Sequence, residues 1–206
     1  EYSSVGGKAF PGTDREFVLQ EAIFTRYGVD RVLRFAFELA AKRPRRKLTS
    51  ATKSNGIFIS MPYWDERVAD MQKAYPQVQV EKFHIDILTA HFVRNPDWFD
   101  VVVASNLFGD ILSDLASELS GSLGLAGSTN QSHTHCCAQA QHGSAPDIAG
   151  KNIANPTSMI LSCSMMLDWG SARFKRPELG LAAKAIDAAV DKVLADPASR
   201  TRDLGG

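Results

Sequence analysis

Two periodicities of apolar residues alternate along the first part of the chain. Helical spacing predicts four helices in this part. The first starts near Asp30, the second starts at Ser60, and the other two span 85–93 and 109–119. Between these helices lie short apolar runs typical of buried strands, at 48–52, 78–83 and 99–104. Strands and helices that alternate at this spacing predict an α/β fold in which helical crossovers join parallel strands.

The ends of the first two predicted helices carry local signals. Ser60 is predicted to cap the second helix, with Pro62 in its first turn. The first helix is predicted to end in the basic run 42–47, because cations suit a helix C-terminus and Pro44 stops the helix. A basic binding patch is the alternative, but we interpret the run as a solvated helix end.

The pattern changes after Ser120. Residues 121–155 are punctuated by glycine and show little periodicity, which predicts loops. Two helices are predicted to close the chain, from Pro156 to about Trp169 and from Pro177 to Ala195. We therefore predict two parts, 1–120 and 121–206.

Composition excludes several classes of protein. The 206 residues are 44% hydrophobic, which is typical of a globular chain. The 23 basic residues equal the 23 acidic ones, so charge does not favour a nucleic-acid or membrane-surface partner. No apolar run approaches the roughly 18 residues of a membrane helix, and the start lacks a signal-peptide pattern. The 3 cysteines do not suggest a disulfide framework, which predicts a cytoplasmic location.

The strongest candidate site follows the apolar run 99–104. Asp110 and Asp114 lie one helical turn apart, at the predicted carboxyl end of the sheet, where open α/β sheets bind ligands. Two carboxylates on one helical face suit Mg²⁺ or Mn²⁺, because both cations prefer oxygen ligands. A pair of solvated aspartates near a helix N-terminus is an equally good interpretation of the spacing.

Three more residues are weaker candidates when they are taken alone. Asp86 follows a predicted strand and is an ordinary residue type for the start of a helix. Lys53 also follows a strand, and it is either a surface charge or a base with a lowered proton affinity. Tyr2 has no local context that distinguishes it.

Two loops complete the candidates. The stretch 142–156 exposes small residues, a carboxylate and an asparagine before a helix-starting proline, so it is either a nucleotide-binding loop or a series of turns. The segment 133–137 brings His133, His135, Cys136 and Cys137 together. A zinc or copper site there is disfavoured by its crowded spacing, and a divergent surface loop is the preferred interpretation.

Long motifs make the chain resemble a known family. They are EYSSVGG, LTSATKSNGI, SMPYWDERV, HIDIL, FDVVVASNLFGDILSDLASELSGSLGLAGS, HGSAPDIAGKNIANP and TRDLGG. The chain is similar to the metal-dependent β-decarboxylating dehydrogenases of isocitrate, isopropylmalate and tartrate or D-malate, most of all to the tartrate and D-malate enzymes. This resemblance implies an isopropylmalate-dehydrogenase-like doubly wound sheet that is incomplete, because the first strands of the large domain and the last helix are missing. It implies a central, dimerising part at 1–120 and a remaining cofactor-binding part at 121–206.

The resemblance also implies roles for individual residues. Tyr2 would protonate the enolate that remains after carbon dioxide leaves, and Lys53 would assist removal of the proton of the substrate 2-hydroxyl. The divalent metal, Mg²⁺ or Mn²⁺, would be held by Asp86, Asp110 and Asp114. In the family, Lys53 and Asp86 serve the site of the neighbouring subunit, so we expect a homodimer with shared active sites.

The cofactor implied by the resemblance is NAD. The residues expected to contact it are Asn106, His142, Gly143, Ser144, Ala145, Asp147, Ile148 and Asn155. Asp147 favours NAD over NADP, because a carboxylate accepts the ribose 2′-hydroxyl and repels a 2′-phosphate. Where the family carries a glutamate beside the nicotinamide, this chain has Ala138-Gln139-Ala140-Gln141.

Three functional hypotheses follow. The first is NAD- and metal-dependent oxidation and decarboxylation of a 2-hydroxy dicarboxylic acid of the tartrate, D-malate or isopropylmalate type. The second is a shortened homologue with non-redox, metal-dependent chemistry, such as a lyase, isomerase or cyclase. The third is an inactive subunit that pairs with a full-length one. An enzyme is favoured by the retained residues Tyr2, Lys53, Asp86, Asp110 and Asp114. We expect a small hydroxy-acid substrate without nucleic-acid or membrane partners.

Overall fold

A computed structural model describes all residues from Glu1 to Gly206, which form two compact units, Glu1–Ser113 and Asp114–Gly206. The first unit contains β1 (Gly6–Ala9), β2 (Phe17–Gln20), α1 (Arg26–Lys42), β3 (Lys47–Thr52), α2 (Ser60–Gln72), β4 (Gln79–His84), α3 (Ile85–Arg94) and β5 (Val101–Val103). Helix α4 (Asn106–Leu119) begins in the first unit and ends in the second. The second unit continues with β6 (Gly127–Gln131), β7 (Cys136–Ala140), α5 (Thr157–Phe174) and α6 (Pro177–Ala195). None of these helices has the length and apolar character needed to cross a membrane.

A parallel sheet forms the centre of the first unit. Its strand order is β4-β3-β5, and β3 pairs in parallel with both neighbours. Five of the six residues of β3 are buried, which agrees with a strand covered on both faces. Because the chain crosses from β4 over β3 to β5, the direction of winding reverses beside the central strand.

Helices α1 and α2 cover one face of this sheet. The apolar stripe of α1 buries Leu33 and Phe37 against a core that includes Leu48 of β3 and Trp64 of α2. The Trp64 indole nitrogen donates a hydrogen bond of 3.0 Å to Ser50 Oγ, so the buried polar atoms of helix and strand satisfy each other. The packing of the helices therefore fixes the strands whose ends carry the candidate site.

Three predicted helix starts in the first unit need correction. Helix α1 begins at Arg26 rather than near Asp30, because Thr25 Oγ1 caps it by accepting from the Gly28 N–H. Ser60 is the first residue of α2 and not its cap, and no side chain caps that helix. Helix α4 begins at Asn106 rather than at residue 109.

The basic run after α1 is bound to protein groups. The Arg45 guanidinium donates to the carbonyl oxygens of Asp97, Trp98 and Phe99 at distances of 2.7–3.0 Å. The Arg43 side chain forms an ion pair with Asp100. The run is largely exposed at the end of α1, as predicted, and its arginines in addition bind the segment that leads into β5.

Two antiparallel hairpins were not predicted as strands. β1 pairs with β2 in the first unit, and β6 pairs with β7 in the second, within the stretch predicted as loop. The second hairpin lies on α5, where the Ser158 hydroxyl donates to the Ala126 carbonyl and the Ser162 hydroxyl donates to the Gln139 carbonyl. The partly buried positions of β7 are Cys136, Ala138 and Ala140, so the hydrophobic alternation of this five-residue strand is weak.

The two closing helices agree with the sequence more closely. Helix α6 spans the predicted range, whereas α5 continues past Trp169 to Phe174. Gly170 lies inside α5 and is buried. A Cβ at this position would lie 3.3 Å from Leu179 Cδ1, so the glycine allows close packing and does not end the helix. The helix ends at Lys175, which adopts a left-handed conformation with φ of 54°.

Replacing Leu33 with alanine tests the buried face of α1. Leu33 has no exposed surface, so Leu33→Ala is expected to lower the free energy of unfolding by about 2–5 kcal/mol through the cavity it leaves. The matched control is Val32→Ala, because Val32 is 39% exposed and its loss is expected to stay within about 0.5 kcal/mol. Urea unfolding followed by circular dichroism measures both values. Equal losses would contradict the assigned orientation of α1.

A second prediction concerns acid stability. Arg67 donates two hydrogen bonds to the Asp30 carboxylate, at 2.7 and 3.1 Å, and these bonds lower the pKa of Asp30 despite its partial burial. The folded form therefore holds this proton less tightly than the unfolded form does. The stabilisation is fully present above the unfolded pKa of about 3.9 and is lost as pH falls through the lower folded pKa.

Asp30→Asn is expected to remove this dependence. The variant should be less stable than the wild type by about 1–3 kcal/mol at pH 7, with a smaller difference at pH 2–3. Thermal unfolding between pH 2 and pH 7 measures the difference, and Asp14→Asn on the exposed hairpin turn is the control. A constant difference across this range would contradict the proposed role of the Asp30 charge.

Candidate active site

The carboxyl ends of β3 and β4 bring two predicted site residues together. The parallel register pairs Thr52 with His84, so the residues that follow the two strands leave the same edge of the sheet. Lys53 Nζ lies 2.8 Å from Asp86 Oδ2. This hydrogen bond from Lys53 is the main reason that the pKa of Asp86 lies below its usual value, and backbone N–H groups at the start of α3 add to the effect.

A second pair joins Tyr2 to helix α4. The Tyr2 hydroxyl donates a hydrogen bond of 2.9 Å to Asp110 Oδ2. This hydrogen bond raises the pKa of Tyr2 above its ordinary value, and partial desolvation and the charges of Asp110 and Glu1 act in the same direction. The phenol therefore stays protonated and presents its O–H group to the carboxylate.

Glu1 is a site residue that the sequence analysis missed. Its carboxylate accepts a hydrogen bond from the Ser105 hydroxyl and one from the Leu107 backbone N–H, both at 2.8 Å. The negative charge thus lies at the N-terminus of α4, where the free N–H groups and the helix dipole favour it. This contact explains why α4 begins earlier than its apolar pattern indicated, and no local sequence signal could have shown it.

Asp114 lies one turn after Asp110 in the continuous helix α4, and both side chains are exposed. Asp114 Oδ1 accepts a hydrogen bond of 2.8 Å from Gln141 Nε2. Within the chain, no group of three or more histidine, cysteine, aspartate or glutamate side chains converges into a metal site. The oxygen donors of Asp86, Asp110 and Asp114 nevertheless fit Mg²⁺ or Mn²⁺ chemically, and the two α4 carboxylates share one helical face.

The predicted nucleotide loop at 142–155 is largely exposed. Its predicted cofactor residues His142 and Ile148 are partly buried, whereas Gly143, Ser144, Ala145 and Asp147 are exposed, as is Asn106 at the start of α4. Ala145 adopts a left-handed conformation with φ of 42° and precedes a short 3₁₀ turn, Pro146–Ile148. An exposed carboxylate and accessible backbone amides fit the ribose and phosphate groups of a dinucleotide.

Asn155 is held at the other end of this loop. Its Nδ2 donates to Asp203 Oδ2 at 2.9 Å, and its Oδ1 accepts from the Thr157 N–H at 3.0 Å. Burial alone would raise the pKa of Asp203, but hydrogen bonds from Ser122 and Asn155 outweigh it and lower the pKa. A Cβ at Gly124 would lie 2.8 Å from Asn155 Nδ2, so only glycine fits there. The sequence analysis did not identify Asp203 and Gly124, because both lie outside the predicted loop and contribute only by holding Asn155 in place.

A mostly apolar cavity of about 360 Å³ lies beside Asn155 in the second unit. Its walls come from α5, α6 and the turns after α6. Asn155 and Thr157 contribute polar groups at its edge.

The histidine and cysteine segment forms no metal site. His133 and His135 are exposed at the turn between β6 and β7, and Cys136 and Cys137 are successive residues of β7. Successive strand residues point to opposite faces, so the two thiols diverge. All 3 cysteines are free thiols in this structure.

Comparison with known proteins settles the family. The sequence model described as isocitrate/isopropylmalate dehydrogenase matches residues 2–206. The chain belongs to the isocitrate/isopropylmalate dehydrogenase family. This finding confirms the family predicted from the motifs.

Relatives in this family include enzymes of hydroxy-acid metabolism. The chain is 53% identical to D-malate dehydrogenase [decarboxylating] of Escherichia coli (strain K12), over 100% of this chain and 57% of that protein. It is also 53% identical to tartrate dehydrogenase/decarboxylase of Pseudomonas putida, with the same coverage. The chain thus spans little more than half the length of these relatives.

A solved structure of the family has the same fold. Isocitrate dehydrogenase from Methylococcus capsulatus superposes with a TM-score of 0.83 at 39% identity, covering 92% of this chain and 53% of that one. This likeness confirms the predicted α/β class and an incomplete dehydrogenase fold of this family.

Glu1 offers a direct test of how this family member holds its α4 helix. Glu1→Ala is expected to destabilise the chain by about 1 kcal/mol, because it removes the carboxylate cap. The Leu107 amide should also exchange its hydrogen faster, as measured by nuclear magnetic resonance. The control is Glu21→Ala, an exposed glutamate. Unchanged exchange at Leu107 would contradict the capping role of Glu1.

Proposed function

We propose that the protein to which this chain belongs catalyses the NAD- and divalent-metal-dependent oxidation and decarboxylation of a 2-hydroxy dicarboxylic acid. One observation carries the proposal beyond the family. Each side chain proposed to move a proton contacts an aspartate proposed to bind the metal, Tyr2 on Asp110 and Lys53 on Asp86. The names of the relatives, D-malate and tartrate dehydrogenases, favour a small substrate of this class.

Asp110 and Asp114, together with Asp86, would hold Mg²⁺ or Mn²⁺. When bound, the metal would polarise the oxygens of the substrate and stabilise the enolate, while NAD would accept the hydride. Carboxylates are the ligands that these cations prefer, and the three aspartates are exposed enough to receive one.

The chain's own residues would then move two protons. Lys53 would assist removal of the proton of the substrate hydroxyl as the carbon loses its hydride, and it could accept that proton only after its own ammonium had released one. After carbon dioxide leaves, Tyr2 would donate its phenolic proton to the carbon of the enolate. The hydrogen bond to Asp110 holds the Tyr2 O–H in place for this role.

The loop 142–155 would bind the dinucleotide. Asp147 is exposed and would accept a hydrogen bond from the ribose diol, which favours NAD over NADP. Asn155, fixed between Asp203 and Thr157, would face the adenine ring.

A homodimer would complete the site. Asp86 and Lys53, which contact each other, would serve the partner subunit's site. The exposed residues Phe58 and Ile59, which are 72% and 86% exposed, follow Lys53 closely and would be covered by such a partner.

Calorimetric titration with Mn²⁺, NAD and NADP tests the proposal. We expect Mn²⁺ to bind, NAD to bind in preference to NADP, and Asp147→Asn to reduce this preference about 10- to 100-fold through loss of a charge-assisted hydrogen bond. Asp191→Asn on α6 is the matched control, since Asp191 is exposed and outside the loop.

The other outcomes separate the competing hypotheses. Preference for NADP would contradict the role of Asp147. Binding of Mn²⁺ without either cofactor would favour non-redox, metal-dependent chemistry, and binding of none of them would favour an inactive subunit. A stable monomer at micromolar concentration in light scattering would contradict the shared site.

A further inference from the structure

We propose that Gln141 is a positioning residue that orients Asp114 toward the divalent cation. The inference rests on the proposed function, because it concerns the metal that Asp114 would bind. Gln141 follows β7 directly, and its side chain reaches α4 within the second unit. Its role is to fix a carboxylate, and it does not contact the cation itself.

Both ends of the Gln141 amide are engaged. Nε2 donates to Asp114 Oδ1 at 2.8 Å, and Oε1 accepts a hydrogen bond from the Ser117 hydroxyl. An ionised carboxylate only accepts hydrogen bonds, so the NH₂ end of the amide must face Asp114. Ser117 is only 5% exposed, so its position is fixed by the surrounding residues. Its hydroxyl therefore holds the acceptor end of the Gln141 amide in place.

The backbone of Gln141 is fixed as well. Its N–H donates to Ser158 Oγ at 3.2 Å, and Ser158 has no exposed surface. The side chain therefore starts from a fixed point on the hairpin and ends at a fixed point on α4. A glutamine held at both positions has already lost the rotational freedom that an exposed side chain would otherwise lose on binding.

This arrangement prepares the Asp114 carboxylate for a cation. Asp114 is exposed, and without a partner its side chain would sample several rotamers. The hydrogen bond to Oδ1 would select one orientation, with Oδ2 left for the cation. Hydrogen bonds from outer residues to metal-binding carboxylates typically change metal affinity 10- to 100-fold.

The contact also has a purely structural interpretation, as a link between β7 and α4. That interpretation predicts a change in stability without a change in metal affinity. A competing interpretation holds that Gln141 blocks the carboxylate, in which case its removal would strengthen binding of a cation. Metal affinity therefore separates the three interpretations.

The test is a titration of the whole 206-residue chain with Mn²⁺, followed by calorimetry and by the electron paramagnetic resonance signal of free Mn²⁺. Gln141→Met keeps the length of the side chain and removes its donor. We expect about 10-fold weaker Mn²⁺ binding. Gln139→Met is the matched control, because Gln139 is exposed on the same hairpin, and its affinity should equal that of the wild type.

Two further measurements complete the design. Asp114→Asn should lower the affinity at least as much as Gln141→Met, which assigns the bound Mn²⁺ to this site. Circular dichroism of the metal-free variants shows whether they are folded, and Gln141→Leu provides a second variant if Gln141→Met is not.

Failure of this inference and failure of the proposed function give different results. Equal or tighter Mn²⁺ binding by a folded Gln141 variant, with a binding wild type, would overturn the role of Gln141 alone. No Mn²⁺ binding by the wild type would overturn the metal site and the positioning role with it.

Discussion

Parallel pairing of β3 with both of its neighbours is the constraint on which the first unit depends. Because β3 pairs in parallel with both β4 and β5, the carboxyl ends of the three strands lie at the same edge of the sheet. Lys53 and Asp86 leave that edge from neighbouring strands, and α4 starts just after β5. Lys53 and Asp86 therefore meet at this edge of the sheet.

The sequence predicted those elements that bury apolar side chains at regular spacing within one short segment. The three strands of the parallel sheet and helix α6 were found, since each has a periodic apolar face. The β6–β7 hairpin was missed because its two five-residue strands consist mostly of small and polar residues, and Ser158 and Ser162 bind backbone carbonyls there. A hydroxyl that bonds to a carbonyl leaves no hydrophobic pattern in the strand that it attaches.

The candidate site shows the same division. Lys53, Asp86, Asp110 and Asp114 follow recognisable elements, so position and motif identified them. Glu1 and Gln141 were not identified, because each acts through a residue that is remote in the sequence. Tyr2 became a candidate only through the family motif, and its contact with Asp110 now gives it a physical context. Long-range polar contacts of this kind need coordinates.

The capping of α4 by Glu1 has a consequence for the order of folding. The two ends of this contact are separated by 106 positions, so it closes a loop that includes the whole parallel sheet. Closing a long loop costs chain entropy before the contact contributes any stabilisation, so contacts of this kind form late in folding. The first turn of α4, which precedes Asp110, would therefore become ordered late, after the sheet has formed. The helix that carries Asp110 would thus receive the Glu1 cap only when the sheet beneath it is complete.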